Sequence, residues 1–449
     1  MRHRRILCAV AGLALVCAST HDAFAEEIVL EGPERDDWTP VYDGTGARTF
    51  EDGTDAHPYV FVADRFRAPI YNKVQRGRRV IGRFWRGAMT VARRARTWRR
   101  CNGRRGRWYA LPNGGYLCNT YGFSRARGPA SNTRRPDVDR PLPFRYARVT
   151  DKGALRLKRL PRDADELHTL ETRDWGRKRP NVVVEPMFGD FFLSLDRREN
   201  KLDRTWFRTV RGEYVRADAL KIRNGSPMLG EHLGDHVELP IAFVHHEEAQ
   251  PVFCNAPDGL EACGTAEHHA RFEVDRQVEI DGERYVVTPR NRLVATDSVR
   301  IASEVRRPSK VPSYAKWVHF DLEQQAFVAY EGDEPVYASL FSSGKPGRDT
   351  PDGLYQIQRK YLTKTMRGKD AVEGIYHVED VPWTMYYRGP YAVHGAYWHD
   401  VFGNTRSHGC TNLAPADARW MYYWSRPTMP KGWHTRLNIV NGTYFYFTD

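Results

Sequence analysis

The sequence predicts a mainly β protein assembled from several small domains. Three observations lead there. Short strand-like runs alternate with turns along most of the chain. A tight-hairpin design, apolar pairs flanking a turn, recurs at 108–117, 206–215 and 285–294. The 36 glycines, 27 prolines, 23 tyrosines and 12 tryptophans favour short strands and turns over long helices. At 449 residues the chain exceeds one ordinary core, and about three domains is the expectation. Hydrophobic content of 41% with 28% charged residues is that of a soluble globular protein.

The first element is a targeting segment. Arg2, His3, Arg4 and Arg5 precede an apolar run over 6–18, and Ala23, Phe24 and Ala25 give a small-x-small cleavage pattern. Residues 1–25 therefore read as a signal peptide, with the mature chain starting near Glu26. The run is too short for a permanent anchor. Val16 stands where a lipid-attachment signal at Cys17 needs a small residue, and no later stretch reaches spanning length. The expectation is an exported protein, periplasmic or wall-associated, with no transmembrane segment.

Export sets the cysteine arithmetic. Cys101 with Cys118, and Cys254 with Cys263, read as local disulfides closing short loops. Cys410 is left over. An odd cysteine in an exported chain is either a reactive thiol or an intermolecular bridge, and its neighbours favour reactivity.

The net charge is +13, densest at Arg93, Arg94, Arg96, Arg99, Arg100, Arg104, Arg105 and Arg107, interleaved with Trp98 and Trp108. Outside the cytoplasm such a cluster meets anionic wall polymers, outer-membrane headgroups or carboxylate-rich stem peptides sooner than nucleic acid. A solvated basic face without a dedicated partner is the alternative.

After the signal, residues 26–138 form a first β module, with strands expected over 68–71, 79–84, 89–92 and 107–111. Residues 139–240 form a second. Its charged stretch 159–179, with Leu160, Ala164, Leu167 and Leu170 at helical spacing, is an insertion or connector. Residues 241–312 hold a third module and a linker over 305–313, where Arg306, Arg307, Pro308, Ser309, Lys310 and Pro312 break regular structure. The three hairpins resemble the last strands of bacterial SH3-like barrels, small modules common in exported wall enzymes. The first matches best, over 63–121. Generic hairpins of a larger sheet are the other reading.

Residues 313–449 have the cleanest strand pattern. Strands are expected over 317–322, 326–330 and 335–342, with Glu331, Gly332 and Asp333 turning between the last two. Gly344, Lys345, Pro346, Gly347, Thr350, Pro351, Asp352 and Gly353 form a loop into a strand over 354–358.

This last domain carries the chemistry. It contains His394-Gly395 and, 16 positions after the histidine, Cys410 within Ser407-His408-Gly409-Cys410-Thr411-Asn412. A thiolate is the reactive form of cysteine, and a nearby imidazole supplies the base that makes it. Gly409 lets backbone approach a substrate carbonyl, and the amides around Cys410 suit an oxyanion hole.

Those residues, with the Lys345–Gly353 loop, resemble the catalytic domain of the L,D-transpeptidases, enzymes that remodel peptidoglycan, over about 314–441. Their pattern is a histidine followed by Gly or Ser, then Ser/Thr-His-Gly-Cys with Asn or Arg two further on. The resemblance implies Cys410 as nucleophile, His394 as its base and the Gly395 carbonyl as the group orienting the ring. It further implies Gly409 and the Cys410 amide at the oxyanion, with His408, Ser407 and Asn412 shaping the pocket. Arg406 is placed to meet a stem carboxylate, and Tyr386, Tyr387 and Tyr397 are candidate walls, ordinary packing being the alternative. Gly395 replaces the serine of some members, and Trp398, His399 and Asp400 suggest a lid. The implied reaction moves an acyl group from a tetrapeptide stem to Cys410 with loss of D-alanine, then to a second stem as a 3–3 crosslink. No cofactor is implied. Water as acceptor makes an L,D-carboxypeptidase, and a protein amine makes a wall-attachment enzyme.

Three rival readings are weaker. His394, His399, His408 and Cys410 are good zinc ligands, but their spacing fits no zinc motif, and His245-His246 and His268-His269 read as surface pairs. Papain-like peptidases place cysteine before histidine, and sortases need a different cysteine strand. A non-catalytic wall-binding protein would have no use for an intact Cys410 and His394.

Overall fold

The computed structural model describes residues 59–449 apart from 66, 127–133, 177, 235–236, 258 and 371–373, together with the paired strands Val41–Tyr42 and Arg48–Thr49. The signal segment at 1–25 lies outside the described residues. The chain is mainly β, as the composition indicates.

One strand order occurs three times before the C-terminal domain. Tyr59–Ala63 pairs with both Met89–Arg94 and Phe123–Arg125. From Met89–Arg94 the sheet continues through Trp108–Ala110 and Tyr116–Cys118 to Ala68–Tyr71 and Val80–Phe84. Arg145–Val149 starts the same order with Phe191–Lys201 and Leu220–Arg223, continuing through Arg204–Thr209, Tyr214–Arg216, Ala154–Leu157 and Val183–Met187. Ile241–Val244 starts it again, with Arg271–Glu273 and Val299–Ala302 beside it. There Arg276–Ile280, Glu283–Val287, Leu293–Ala295, Gln250–Ala256 and Gly259–Ala266 complete the path.

The hairpin that recurs in the sequence is the same element in each copy. Its turn needs a left-handed residue, and Gly114, Gly212 and Asn291 supply it at φ 82°, 90° and 54°. The charged insertion of the second copy contains the helix Ala164–Thr172. Asp163 caps it by accepting from the Glu166 amide at 2.9 Å. The helix is shorter than the 159–179 stretch because Arg173 turns left-handed and ends it. Both expected disulfides form, Cys101–Cys118 and Cys254–Cys263, and Cys410 is free. In the arginine cluster Trp98 is 82% exposed under the Arg99 guanidinium, whereas Trp108 is buried in the core.

The C-terminal sheet is built around Lys316–Asp321, antiparallel to Ala326–Glu331 and parallel to Tyr444–Thr448. Both its faces are covered, so its strands are apolar almost throughout. Trp317 stacks on Tyr330 at 4.1 Å and Phe320 on Phe447 at 4.6 Å. Ala326–Glu331 leads to Glu334–Ser342, whose far end pairs with Thr411–Leu413. The sheet then runs through Tyr391–Gly395, Gly374–Arg388 and Arg359–Asp370. The helix Pro415–Trp424 packs on the strands Gly374–Arg388 and Tyr391–Gly395. Within it Asp417, fully buried, accepts from the Tyr337 and Ser339 hydroxyls at 2.6 Å each and from the Gly230 amide at 2.9 Å.

Residues 54–449 form one unit. Val80–Phe84 pairs with Trp433–Arg436, and Phe191–Lys201 runs parallel to Gly374–Arg388. At the second junction buried Glu379 pairs with Arg156 at 3.0 Å and Arg211 at 2.9 Å, and buried Asp380 with Arg211 at 3.4 Å. Ser194 donates to Asp380 at 2.6 Å. Buried carboxylates need such partners, and together they hold the middle of the long hairpin Arg359–Asp370/Gly374–Arg388, whose Tyr376 meets His408.

Candidate active site

His394 lies on Tyr391–Gly395, which runs parallel to Thr411–Leu413 with His394 opposite Asn412. Cys410 stands one residue before that second strand. Cys410 thus leads directly into the strand on which Asn412 stands opposite His394. The S–H of Cys410 points at the Pro390 carbonyl at 3.8 Å.

The histidine is oriented by its own strand. Nδ1 of His394 lies 3.3 Å from the Gly395 carbonyl oxygen. A carbonyl only accepts, so Nδ1 carries the proton and Nε2 is left as the basic nitrogen. Burial pushes the ring down to about 4, with the Gly395 carbonyl working the other way. Burial pushes the Cys410 thiol up to about 11, and a backbone hydrogen bond at Ala392 draws it part of the way back. The resting pair is therefore neutral thiol and neutral imidazole.

Short hydrogen bonds hold the cysteine turn. Ser407 is buried; its Oγ accepts from the Gly409 amide at 3.0 Å and donates to the Cys410 carbonyl. Gly409 has φ 109°, and a Cβ there would lie 2.8 Å from Tyr391 Cε1. Only glycine fits on both counts. Thr350 Oγ1 donates to the Gly409 carbonyl at 3.0 Å and accepts from the Gly344 amide at 2.9 Å. The Lys345–Gly353 loop of the sequence motif is thus tied to the cysteine turn.

The remaining residues singled out from sequence fall into two groups. Asn412 faces His399, amide nitrogen to Nε2 at 2.9 Å. Arg406 is exposed, and its charge, after burial, helps lower His399 to about 3. His408 is exposed and stacks on Tyr376 of the long hairpin at 5.2 Å. These stay with the site. Tyr387 is fully buried among Tyr355, Phe445 and Phe447. Tyr397 is 1% exposed, stacked on Tyr146 at 3.9 Å, and donates to the Glu379 carbonyl at 2.8 Å. Tyr397 packs rather than presents a wall, whereas the Tyr387 hydroxyl, like that of Tyr386, lies within electrostatic reach of Cys410. Sequence reasoning missed Tyr376 and Tyr391 as residues beside the cysteine turn, and nothing local distinguishes them from the other tyrosines.

Residues 315–432 match the family model of the YkuD L,D-transpeptidase catalytic domain. The match takes in Cys410, His394 and every other candidate site residue. No curated protein matches the chain. Among solved structures, the chain is similar to an L,D-transpeptidase from Stackebrandtia nassauensis at 18% identity, covering 31% of this chain and 58% of that one, with a TM-score of 0.22. It is also similar to the catalytic domain of the E. faecium L,D-transpeptidase at 20% identity, covering 30% and 98%, with a TM-score of 0.25. A Mycobacterium smegmatis L,D-transpeptidase gives 20% identity, coverage of 39% and 82%, and a TM-score of 0.25. This chain thus spans little more than half of the first of these.

Proposed function

We propose that the protein is an exported peptidoglycan L,D-transpeptidase that forms 3–3 crosslinks through a Cys410 thioester. The observation that carries this reading is the Nδ1 contact from His394 to Gly395, which leaves Nε2 basic on the strand paired with the one that Cys410 leads into. With both groups neutral at rest, the proton moves from Sγ to His394 Nε2 as sulfur attacks the carbonyl of the third stem residue. The Gly409 amide is engaged by Ser407, so the developing oxyanion falls to the Cys410 amide. The C–N bond to the terminal D-alanine breaks, and imidazolium returns the proton to the departing amine. An acceptor amine then attacks the thioester, with His394 again taking the proton, and Cys410 is released as a thiol. No metal or organic cofactor enters these steps.

Arg406 and Asn412 are the residues we assign to the stem peptide, Arg406 to a carboxylate. The three repeated strand arrangements are assigned as SH3-like modules that hold the enzyme on the wall. The exposed guanidiniums around Trp98 supply an anion-binding face for wall or outer-membrane polymers. The two disulfides suit an oxidising compartment, and no helix of the described residues is long and apolar enough to cross a membrane.

Incubation of the mature protein with tetrapeptide muropeptides, read by mass spectrometry, tests the reading. A dimer short of one D-alanine, absent with Cys410→Ala, is expected. Tripeptide alone means water is the acceptor. No turnover points to a protein amine acceptor or to a wall-binding protein without catalysis.

A further inference from the structure

We propose that His268, His269 and Asp400 bind one divalent first-row transition-metal ion, best matched by zinc. The ion would join the third strand module to the loop between His394 and Cys410. The ligand atoms of the three side chains lie within 4.8 Å of one another. His268 Nε2, His269 Nε2 and Asp400 Oδ1 are each buried and lack a hydrogen-bond partner among the described residues. Burying one polar atom unpaired is costly, and three such atoms gathered this closely form a ligand set that a cation would satisfy.

The distances suit an ion better than a direct contact. His269 Nε2 and Asp400 Oδ1 are 3.7 Å apart, and the His269 side chain is only 10% exposed. That gap is too long for a hydrogen bond. It is close to the roughly 3.3 Å between two ligands each about 2.0 Å from a tetrahedral zinc.

The backbone explains how adjacent histidines converge. In extended chain their side chains would point to opposite faces. His269 instead adopts φ 64°, anchored by its amide donating to the Val244 carbonyl at 3.0 Å. The two rings then lie 3.6 Å apart. The partner loop is already seated there. Arg300 Nε donates to the Gly403 carbonyl at 2.9 Å, and a Cβ on Gly403 would come within 2.6 Å of His245 Cβ.

Two imidazoles and a carboxylate form a mixed nitrogen and oxygen set, which suits zinc, cobalt or nickel over calcium or magnesium. Asp400 is 44% exposed, leaving room for a water as fourth ligand. The ion would act on position rather than chemistry. Asp400 follows His399, which meets Asn412, and Asn412 lies opposite His394. Metal at this seam would hold that chain of contacts in register.

The test uses tag-free mature protein carrying Cys410→Ala, so that no free thiol competes for metal. After chelation and dialysis it is titrated with Zn²⁺ by calorimetry and with Co²⁺ by absorption. One equivalent of each is expected, with cobalt ligand-field bands and no thiolate charge-transfer band. His269→Gln and Asp400→Asn should each weaken the Kd at least about 10-fold. Asp400 is partly exposed, so its isosteric change leaves folding intact, which near-ultraviolet circular dichroism checks. Absence of stoichiometric binding, or binding unchanged by both substitutions, overturns the proposal. So does binding abolished instead by His408→Gln, which would move the ion to the cysteine turn.

Discussion

His394 Nδ1 donates to the carbonyl oxygen of Gly395, the next residue in the same strand, across 3.3 Å. Main chain, not a third side chain, therefore holds the imidazole with Nε2 free. The ring is also buried, which favours its neutral form at rest, and in the proposed mechanism it takes a proton only as the Cys410 thiol is consumed.

Removing that base should cost rate and leave binding. His394→Gln keeps side-chain volume but offers no basic nitrogen. The acylation rate of Cys410 is expected to fall about 10²–10⁴-fold, the usual worth of a positioned base. Single-turnover kinetics with a tetrapeptide stem measure this, and a drop below 10-fold would remove His394 from the proposed role.

Two glycines of the site should respond oppositely to alanine. At Gly395 a Cβ would sit 3.1 Å from Pro382 Cγ and 3.3 Å from Ala418 Cβ, a crowding that small shifts relieve, and the orienting carbonyl is kept. Gly395→Ala is expected to retain activity within about 10-fold, since only a main-chain group acts there. At Gly409 the left-handed φ and the 2.8 Å approach to Tyr391 leave no such room. Gly409→Ala is expected to lose acylation almost completely. Equal effects of the two changes would contradict the geometry.

The buried histidines make the fold acid-sensitive. Burial pushes His394 down to about 4 and His399 and His434 to about 3. Unfolded histidine titrates near 6.5. The unfolded chain therefore binds protons more tightly, and stability falls as pH drops below about 6.5. Each ring contributes about 1.4 kcal/mol per pH unit until its folded value is reached. Asp417, which burial raises to about 6, runs the other way: its contribution grows as pH falls. It offsets roughly one ring between pH 6 and 4. Urea midpoints at pH 7.5 and 5.0 should differ, with the lower midpoint at 5.0. Equal midpoints would contradict the neutral, buried state of these rings.

Asp417 should matter through structure alone. Asp417→Ala leaves the Tyr337 and Ser339 hydroxyls and the Gly230 amide without their acceptor in the core. The expected cost is about 2–5 kcal/mol, for several buried donors orphaned together. Denaturant unfolding at pH 7.5 reads it directly, and a loss under about 1 kcal/mol would show the network to be expendable.

What the sequence discloses here is local. The Cys410 motif and the 16-residue step from His394, both disulfides and the hairpin repeat are patterns of near neighbours, and each has its counterpart in the structure. The contacts that decide roles for other residues join distant parts of the chain. Tyr397 packs because Tyr146 lies on it, and Glu379 stays buried because Arg156 and Arg211 reach it from the second module. His268 and His269 meet Asp400 from more than a hundred residues away, and no periodicity of either segment announces that meeting. Tyrosine is equally at home in a core and in a cleft, so Tyr376 and Tyr391 could not be told from Tyr387 before the fold was known.

The most direct test of the central claim is where a carbapenem adds to the mature protein. Peptide-level mass spectrometry after brief exposure should place one acyl adduct on Cys410, formed far more slowly in His394→Gln and absent in Cys410→Ala. An unmodified Cys410 in the intact protein, or an adduct on any other residue, would contradict the assignment of this thiol as the nucleophile.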